Sequence, residues 1–358
     1  MSRTFNFSAG PATMPLEVLE QVREDLPDYR GLGASVMEIS HRSPPFDDIA
    51  ERSEARLREL LGMSDDYAVL FLAGGARMQF AQVPINLAAP GVPGAYVVNG
   101  YWGRQALAEA ARQHLGVPAA ELREGEFGIP EPDTWRMPDP CAYMHITSNE
   151  TIEGVQFPGW PQGPAPLVAD MSSDILSRPL DITEFGAIYA SAQKNIGPAG
   201  LSVVIVHREL LERSPESLPG MLSWACQAES GSRYNTPPTF AWYMADLVFG
   251  WLLEQGGLEA MSERNERKAG TLYACIDASD FYHNPVPTPV RSRMNVPFTL
   301  AEPSLDGRFL SGAEDAGLVG LKGHRAVGGM RASLYNAMPE AGVDALVDYM
   351  QEFERSHT

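Results

Sequence analysis

The chain has 358 residues, with 27 Lys and Arg against 46 Asp and Glu, a formal net charge of -19. That balance argues against a nucleic-acid partner: no basic stripe is long enough to neutralise a run of phosphates, so any anionic substrate must be held by a local cluster of cations. A length above about 300 residues exceeds what one core serves and predicts two domains, while three cysteines without a CxxC spacing suggest neither a disulfide framework nor a metal site and fit a reducing cytoplasm.

The opening stretch MSRTFNFSAGPATMPLEVLEQV lacks the continuous apolar core of a signal peptide. From about residue 16, short β-like runs alternate with amphipathic helical stretches, the pattern of βαβ units around a largely parallel sheet. His41 and Arg42 lie in a loop, SHR, ahead of the helical segment FDDIAERSEARLRELLG, where Phe46, Ile49, Ala50, Leu57, Leu60 and Leu61 share one face. The strand predicted at 68–72 runs into Gly74 and Gly75 and then a helix. Such a turn, with the free N–H groups of the new helix and Arg77, would form an anion cradle, although a plain strand-to-helix connection uses glycine as readily. The next strand, 95–98, leads through AYVVNG to Tyr101 and Trp102. An indole at a sheet's carboxyl edge can offer its face to a planar ring, whereas core packing is its commoner fate.

The stretches FGIPEPDTWRMPDP and FPGWPQGPAP read as surface loops. Between them, the strand at 142–147 ends in the polar turn SNETIEG, where Thr151 is placed to donate to a ring hydroxyl or simply to form the turn. The strand at 167–170 ends in Asp170, a carboxylate that needs a partner if buried; a protonated pyridine nitrogen would be one, and a turn amide would be another. The strand at 187–190 precedes Lys194, one of only three lysines, in the apolar and small-residue stretch FGAIYASAQKNIGPAGLSVVIV. Burial drives a lysine toward the neutral, carbonyl-attacking amine, and a snorkelling side chain is the plainer alternative. Lys268, within SERNERKAG, and Lys322, in a glycine-flanked turn, read as ordinary charged positions.

A further strand is predicted at 201–207. Beyond it, SGSRYNTPPTFAWY places Asn235 and Thr236 near a helix start, suited to phosphate oxygens or to capping. The apolar run FAWYMADLVFGWLL is too short to cross a bilayer and contains Asp246. The pattern changes near Met261, so residues 16–260 are expected to form a large domain and residues 1–15 with 261–358 a smaller one. That last part carries His324, Arg325 and Arg331 in KGHRAVGGMR and ends in the helical VDALVDYMQEFE. Two cationic clusters in so acidic a chain suggest a substrate with two anionic ends, with surface ion pairs as the ordinary account of any single arginine.

The strings FNFSAGPA, GLGASVMEISHRS, SNETIEG, SAQKNIGPAGL, YNTPPTFAWY, SRMNVPF and GHRAVGGMRASLYNAM together resemble the phosphoserine aminotransferase family over nearly the whole chain. The resemblance implies an α/β fold of the fold-type I pyridoxal-phosphate transferases, with a large domain around a mostly parallel seven-stranded sheet and a smaller α/β C-terminal domain. It implies that Lys194 bonds the aldehyde of pyridoxal 5'-phosphate, Asp170 pairs with its ring nitrogen, Trp102 stacks on the ring and Thr151 meets the ring hydroxyl. Ala76, Arg77 and Gln193 would surround the phosphate, with Asn235 and Thr236 reaching the cofactor of the other subunit of a homodimer. Arg331 would clamp the substrate α-carboxylate, and His41, Arg42, His324 and Arg325 the distal anion, partly across the dimer. The implied reaction is a ping-pong transamination from glutamate to 3-phosphohydroxypyruvate in serine biosynthesis, with 4-phosphohydroxythreonine in pyridoxine biosynthesis left open. An alanine-glyoxylate type transaminase, a cysteine desulfurase and a silent cofactor-binding protein are the competing readings. Ala9 and Ala76 depart from serine and glycine in some relatives, which puts a side-chain contact from position 9 in doubt.

Overall fold

A computed structural model describes residues 3–123, 125–325 and 327–357. Seven runs rich in Val, Ile, Leu, Ala and aromatics pair into the central sheet: β1 (Tyr67–Ala73), β2 (Gly94–Val98), β3 (Gly116–Glu121), β4 (Met144–Thr147), β5 (Leu167–Asp170), β6 (Ala187–Ser191) and β7 (Leu201–His207). Their spatial order is β1-β7-β6-β5-β4-β2-β3, and β7 alone runs antiparallel to its neighbours. Six of the seven match the strands expected from the sequence. Strand β3 escaped because Pro118 interrupts its pattern; it lies at the sheet edge, where a missing N–H is tolerated, and its pairing with β2 shifts register after Tyr96.

Both faces of the sheet are covered, so its inner strands are buried along their length rather than on alternate residues, while the edge strand β3 is only partly buried. On one side Leu57, Phe71, Ile146, Ile188, Val203 and Phe249 belong to the largest core, which includes helix α1 (Pro44–Leu61); on the other Leu70, Tyr96, Val168, Tyr189 and Trp224 pack with α2 (Ala76–Leu87) and α3 (Tyr101–Arg112). The face foreseen for α1 is buried at Phe46, Ile49, Leu57, Leu60 and Leu61, with Ala50 half-buried. Helix α4 (Thr239–Glu254) lies against α1 with Asp246 fully buried. That carboxylate is held by Arg52 Nη2 at 2.5 Å and Arg56 Nη1 at 2.8 Å, which supplies the pairing a buried charge requires. Among the described residues no helix is long and apolar enough to cross a membrane.

A further core gathers Leu272, Phe298, Phe309, Leu346 and Phe353 with Phe7 from near the other end of the chain. It includes the antiparallel strands β8 (Tyr282–His283), β9 (Asn295–Leu300) and β10 (Met330–Ser333) and helix α6 (Glu340–Arg355). Phe5–Asn6 pairs in parallel with Leu318–Val319, which is how the segment before residue 16 joins this region. Helix α5 (Gly257–Asp277) runs through both regions: Leu258 and Met261 pack into the first, Leu272 and Ile276 into the second. The expected boundary at Met261 therefore falls inside a continuous helix. Lys268 overturns its reading as an ordinary charged position. It is 1% exposed, donates to the carbonyls of Leu334 and Tyr335 at 2.9 and 2.8 Å, and is driven by burial down to a pKa of about 7.

Candidate active site

Five strands of the sheet end toward one cavity of about 260 Å³, the place where open α/β sheets put their ligands. After β1, Gly74 (φ +108°) and Gly75 turn the chain sharply and start α2, bringing Ala76 and Arg77 to the cavity wall. The first N–H groups of a helix have no intrahelical acceptors and carry partial positive charge, so this wall suits an anion. A Cβ at Gly75 would sit 3.2 Å from Ser191 Oγ, which shows how closely the backbone approaches β6 there.

After β2, Trp102 lines the cavity from the first turn of α3, at the carboxyl edge of the sheet. The turn after β4 contributes Thr151, β5 contributes Asp170, and the turn after β6 contributes Gln193 and Lys194. Asp170 is buried, accepts from Ser172 N at 2.9 Å, and has its carboxyl pushed upward by burial, with Ser172 and Lys194 pulling the other way. Lys194 donates to Thr151 Oγ1 at 3.1 Å and stands 6.0 Å from the Trp102 ring centroid. Burial lowers its pKa to about 8, opposed by Asp170 and aided by the positive Arg331. Arg331 donates to the Thr151 carbonyl at 3.3 Å, while the Arg77 guanidinium lies 5.6 Å from the Trp102 centroid. The cavity thus contains a buried carboxylate, a half-buried amine with a depressed pKa, an aromatic wall and a helix N-terminus.

The remaining expected residues are not brought to that cavity by this chain alone. His324 packs its ring 5.6 Å from Tyr101, and its pKa is lowered by burial and then by the charges of Arg331 and Arg325. Arg325 is exposed. His41 and Arg42 precede α1, away from the cavity lining; His41 gives its carbonyl to Arg233 at 3.5 Å. Asn235 lines a separate cavity of about 170 Å³ beside Phe71 and Met78, and Thr236 is exposed. Ala9 contributes a carbonyl, which accepts from Tyr335 at 2.9 Å. Sequence reasoning missed Thr147, Ser172 and Ser191 in the cavity wall, and Glu150 and Glu153 behind it. The spacing of the two glutamates around Thr151 in SNETIEG was the available signal.

The residues present fit pyridoxal phosphate. Thr147 Oγ1, in the cavity wall, is buried without a hydrogen-bond partner among the described residues, so the wall has a hydroxyl left for a polar ring. Asp170 can face a cationic ring nitrogen, Lys194 an aldehyde and the start of α2 a phosphate.

Residues 4–346 match the Aminotransferase class-V family, and the chain belongs to it. It is 53% identical over 357 residues to the phosphoserine aminotransferase of Azotobacter vinelandii, with 99% of both proteins covered. A phosphoserine aminotransferase structure from Bacillus circulans subsp. alkalophilus superposes with a TM-score of 0.97 at 45% identity, covering 99% of each chain. One from Trichomonas vaginalis, described as PLP-bound, gives 0.94 at 39% identity over 98% of this chain and 100% of that one. An alanine-glyoxylate aminotransferase from Nostoc sp. shares the fold at 15% identity and a TM-score of 0.78.

Proposed function

We infer that this chain is a pyridoxal-phosphate-dependent phosphoserine aminotransferase, which passes the amino group of L-glutamate to 3-phosphohydroxypyruvate and yields 2-oxoglutarate and O-phospho-L-serine for serine biosynthesis. The observation that carries the reading is the meeting of Lys194, Trp102 and Asp170 in one cavity. Phosphoserine as one member of the substrate pair is supported by the full-length relatives named phosphoserine aminotransferase. Bound pyridoxal phosphate supplies an electron sink for the bonds at the substrate's Cα.

The protein's own groups divide the remaining work. Lys194 would hold the cofactor and move a proton at the substrate Cα; with a pKa of about 8 instead of 10.5, about a tenth of its amine is neutral at pH 7, far more than for an ordinary lysine. Asp170, kept from water, would hold positive charge on the ring nitrogen, and Trp102 would stack on the ring. Thr151 would meet the ring hydroxyl, and Ala76, Arg77 and Gln193 would hold the phosphate. Arg331 binds the α-carboxylate as a planar fork.

The distal anion is met by His324 and Arg325, with His41 and Arg42 supplied by the second subunit of a homodimer that also lends Asn235 and Thr236. The exposure of Arg42, Asn235 and Thr236, away from the chain's own cavity, supports that assembly. Residues 16–260 act as the cofactor-binding domain and residues 1–15 with 261–358 as the smaller domain, in a cytoplasmic enzyme. The test is a donor and acceptor screen with the purified protein. Glutamate with 3-phosphohydroxypyruvate is expected to be the preferred pair; failure of that pair, with alanine and glyoxylate turned over instead, refutes the substrate assignment.

A further inference from the structure

Two carboxylates behind the cavity have no part in the chemistry above. Glu150 and Glu153 face the N-terminus of α3, and three successive amides donate to them: Tyr101 N to Glu153 Oε1 at 2.8 Å, Trp102 N to Glu150 Oε2 at 2.9 Å and Gly103 N to Glu150 Oε1 at 2.7 Å. A helix start is usually capped by one oxygen from the residue just before it. Here that residue is Gly100, which has no side chain, and the acceptors come from a turn some fifty residues later. A Cβ on Gly100 would lie 2.6 Å from Glu150 Cγ and Cδ and 2.8 Å from Glu153 Oε2, so the two acids occupy the space an ordinary cap would use.

Such an arrangement costs free energy. Glu150 is 0% exposed, and burial, followed by the charge of Glu153, pushes its carboxyl well up; burial pushes Glu153 up as well. What the acids join explains why that cost is carried. Trp102 stands in the first turn of α3, and Thr151, the acceptor for Lys194 Nζ, lies between the two glutamates in sequence.

We propose that Glu150 and Glu153 are positioning residues, a two-carboxylate clamp that fixes the first turn of α3 to the Thr151 turn and so sets the Trp102 indole relative to Lys194. The clamp rests on the cofactor reading given above and deepens it. Neither glutamate touches substrate; both act through Trp102 and Thr151.

The test uses the full-length protein labelled with 5-fluorotryptophan at its six tryptophans, the fluorine signal of Trp102 being assigned as the one lost in Trp102→Phe. In Glu150→Gln one carboxylate oxygen becomes an amide that opposes a backbone donor. The Trp102 signal is expected to shift while the other five hold, and the dissociation constant for pyridoxal phosphate to rise about tenfold. Glu153→Gln, which affects one amide contact, is expected to raise it about threefold. Leu346→Ala, buried in the further core, should lower stability without moving either readout. A folded Glu150→Gln with the wild-type Trp102 signal and cofactor affinity overturns the clamp; if that variant does not fold, an unchanged Glu153→Gln overturns it. Wild-type protein that fails to bind pyridoxal phosphate sinks the cofactor reading instead, and the Trp102 signal still judges the clamp.

Discussion

The amine of Lys194 and the hydroxyl of Thr151 are 3.1 Å apart, joining the turn after β6 to the turn after β4. The Thr151 carbonyl takes the Arg331 guanidinium at 3.3 Å. One small residue therefore touches the group that would hold the cofactor and the group that would hold the substrate carboxylate.

Replacing Lys194 with Ala removes the only lysine of the cavity lining. Turnover of glutamate with 3-phosphohydroxypyruvate should fall by at least ~10³-fold, because both covalent attachment and proton transfer are lost. Steady-state assays check this, and retained transamination would remove Lys194 from its role.

The lowered pKa of Lys194 has its own signature. An amine with a pKa of about 8 becomes neutral and reactive as pH rises through 8 and then gains little more, whereas one at the ordinary 10.5 keeps gaining. The rate at which pyridoxal phosphate combines with the cofactor-stripped protein, measured from pH 6.5 to 10, should be half-maximal near pH 8 and level off about one unit above it.

Lys268 predicts a stability change with pH. Its folded pKa, about 7, lies below the 10.5 of an unfolded lysine, so its contribution is fully present above 10.5 and is lost as pH falls toward 7. The stability difference between the wild type and Lys268→Met should thus shift in favour of the wild type from pH 7 to pH 9. Urea midpoints of both proteins at those two pH values measure it, and a difference independent of pH would contradict the burial effect.

Asp246 holds Arg52 and Arg56 where α1 meets α4. Asp246→Ala leaves two cations around a buried gap and should cost about 3 kcal/mol in chemical denaturation. A loss below about 1 kcal/mol would place the pair with weak surface bridges.

Shared sites can be tested by mixing two inactive proteins. If Arg42 serves the partner's cavity, Arg42→Ala and Lys194→Ala subunits co-refolded in equal amounts should regain about a quarter of wild-type activity, since mixed dimers carry one intact site. No recovery from a mixture shown to contain mixed dimers would place Arg42 in its own subunit's site.

The sheet was legible because six strands are continuous apolar runs bounded by glycine or polar turns, and Asp170 and Lys194 stand at the ends of two such runs. Strand β3 was not, since Pro118 carries the signature of a loop and only edge position excuses it. Lys268 was misread because its neighbours in sequence are charged while its neighbours in space, the carbonyls of Leu334 and Tyr335, are over sixty residues away. Glu150 and Glu153 look like turn residues until α3 is seen to start on them. A local pattern reports what a residue follows, and the helix it caps is a long-range fact.

The pairing of Phe5–Asn6 with Leu318–Val319 sets an order on how the chain can be completed during synthesis. All seven strands of the central sheet have been made once His207 is complete, with covering residues such as Trp224 and Phe249 close behind, but the segment around Phe5 must wait until more than three hundred residues have followed it. Closing a loop over that distance costs more chain entropy than pairing neighbouring strands. The strand nearest the start is thus among the last to find its neighbour, and Phe7 seals a core whose other members leave the ribosome near the end.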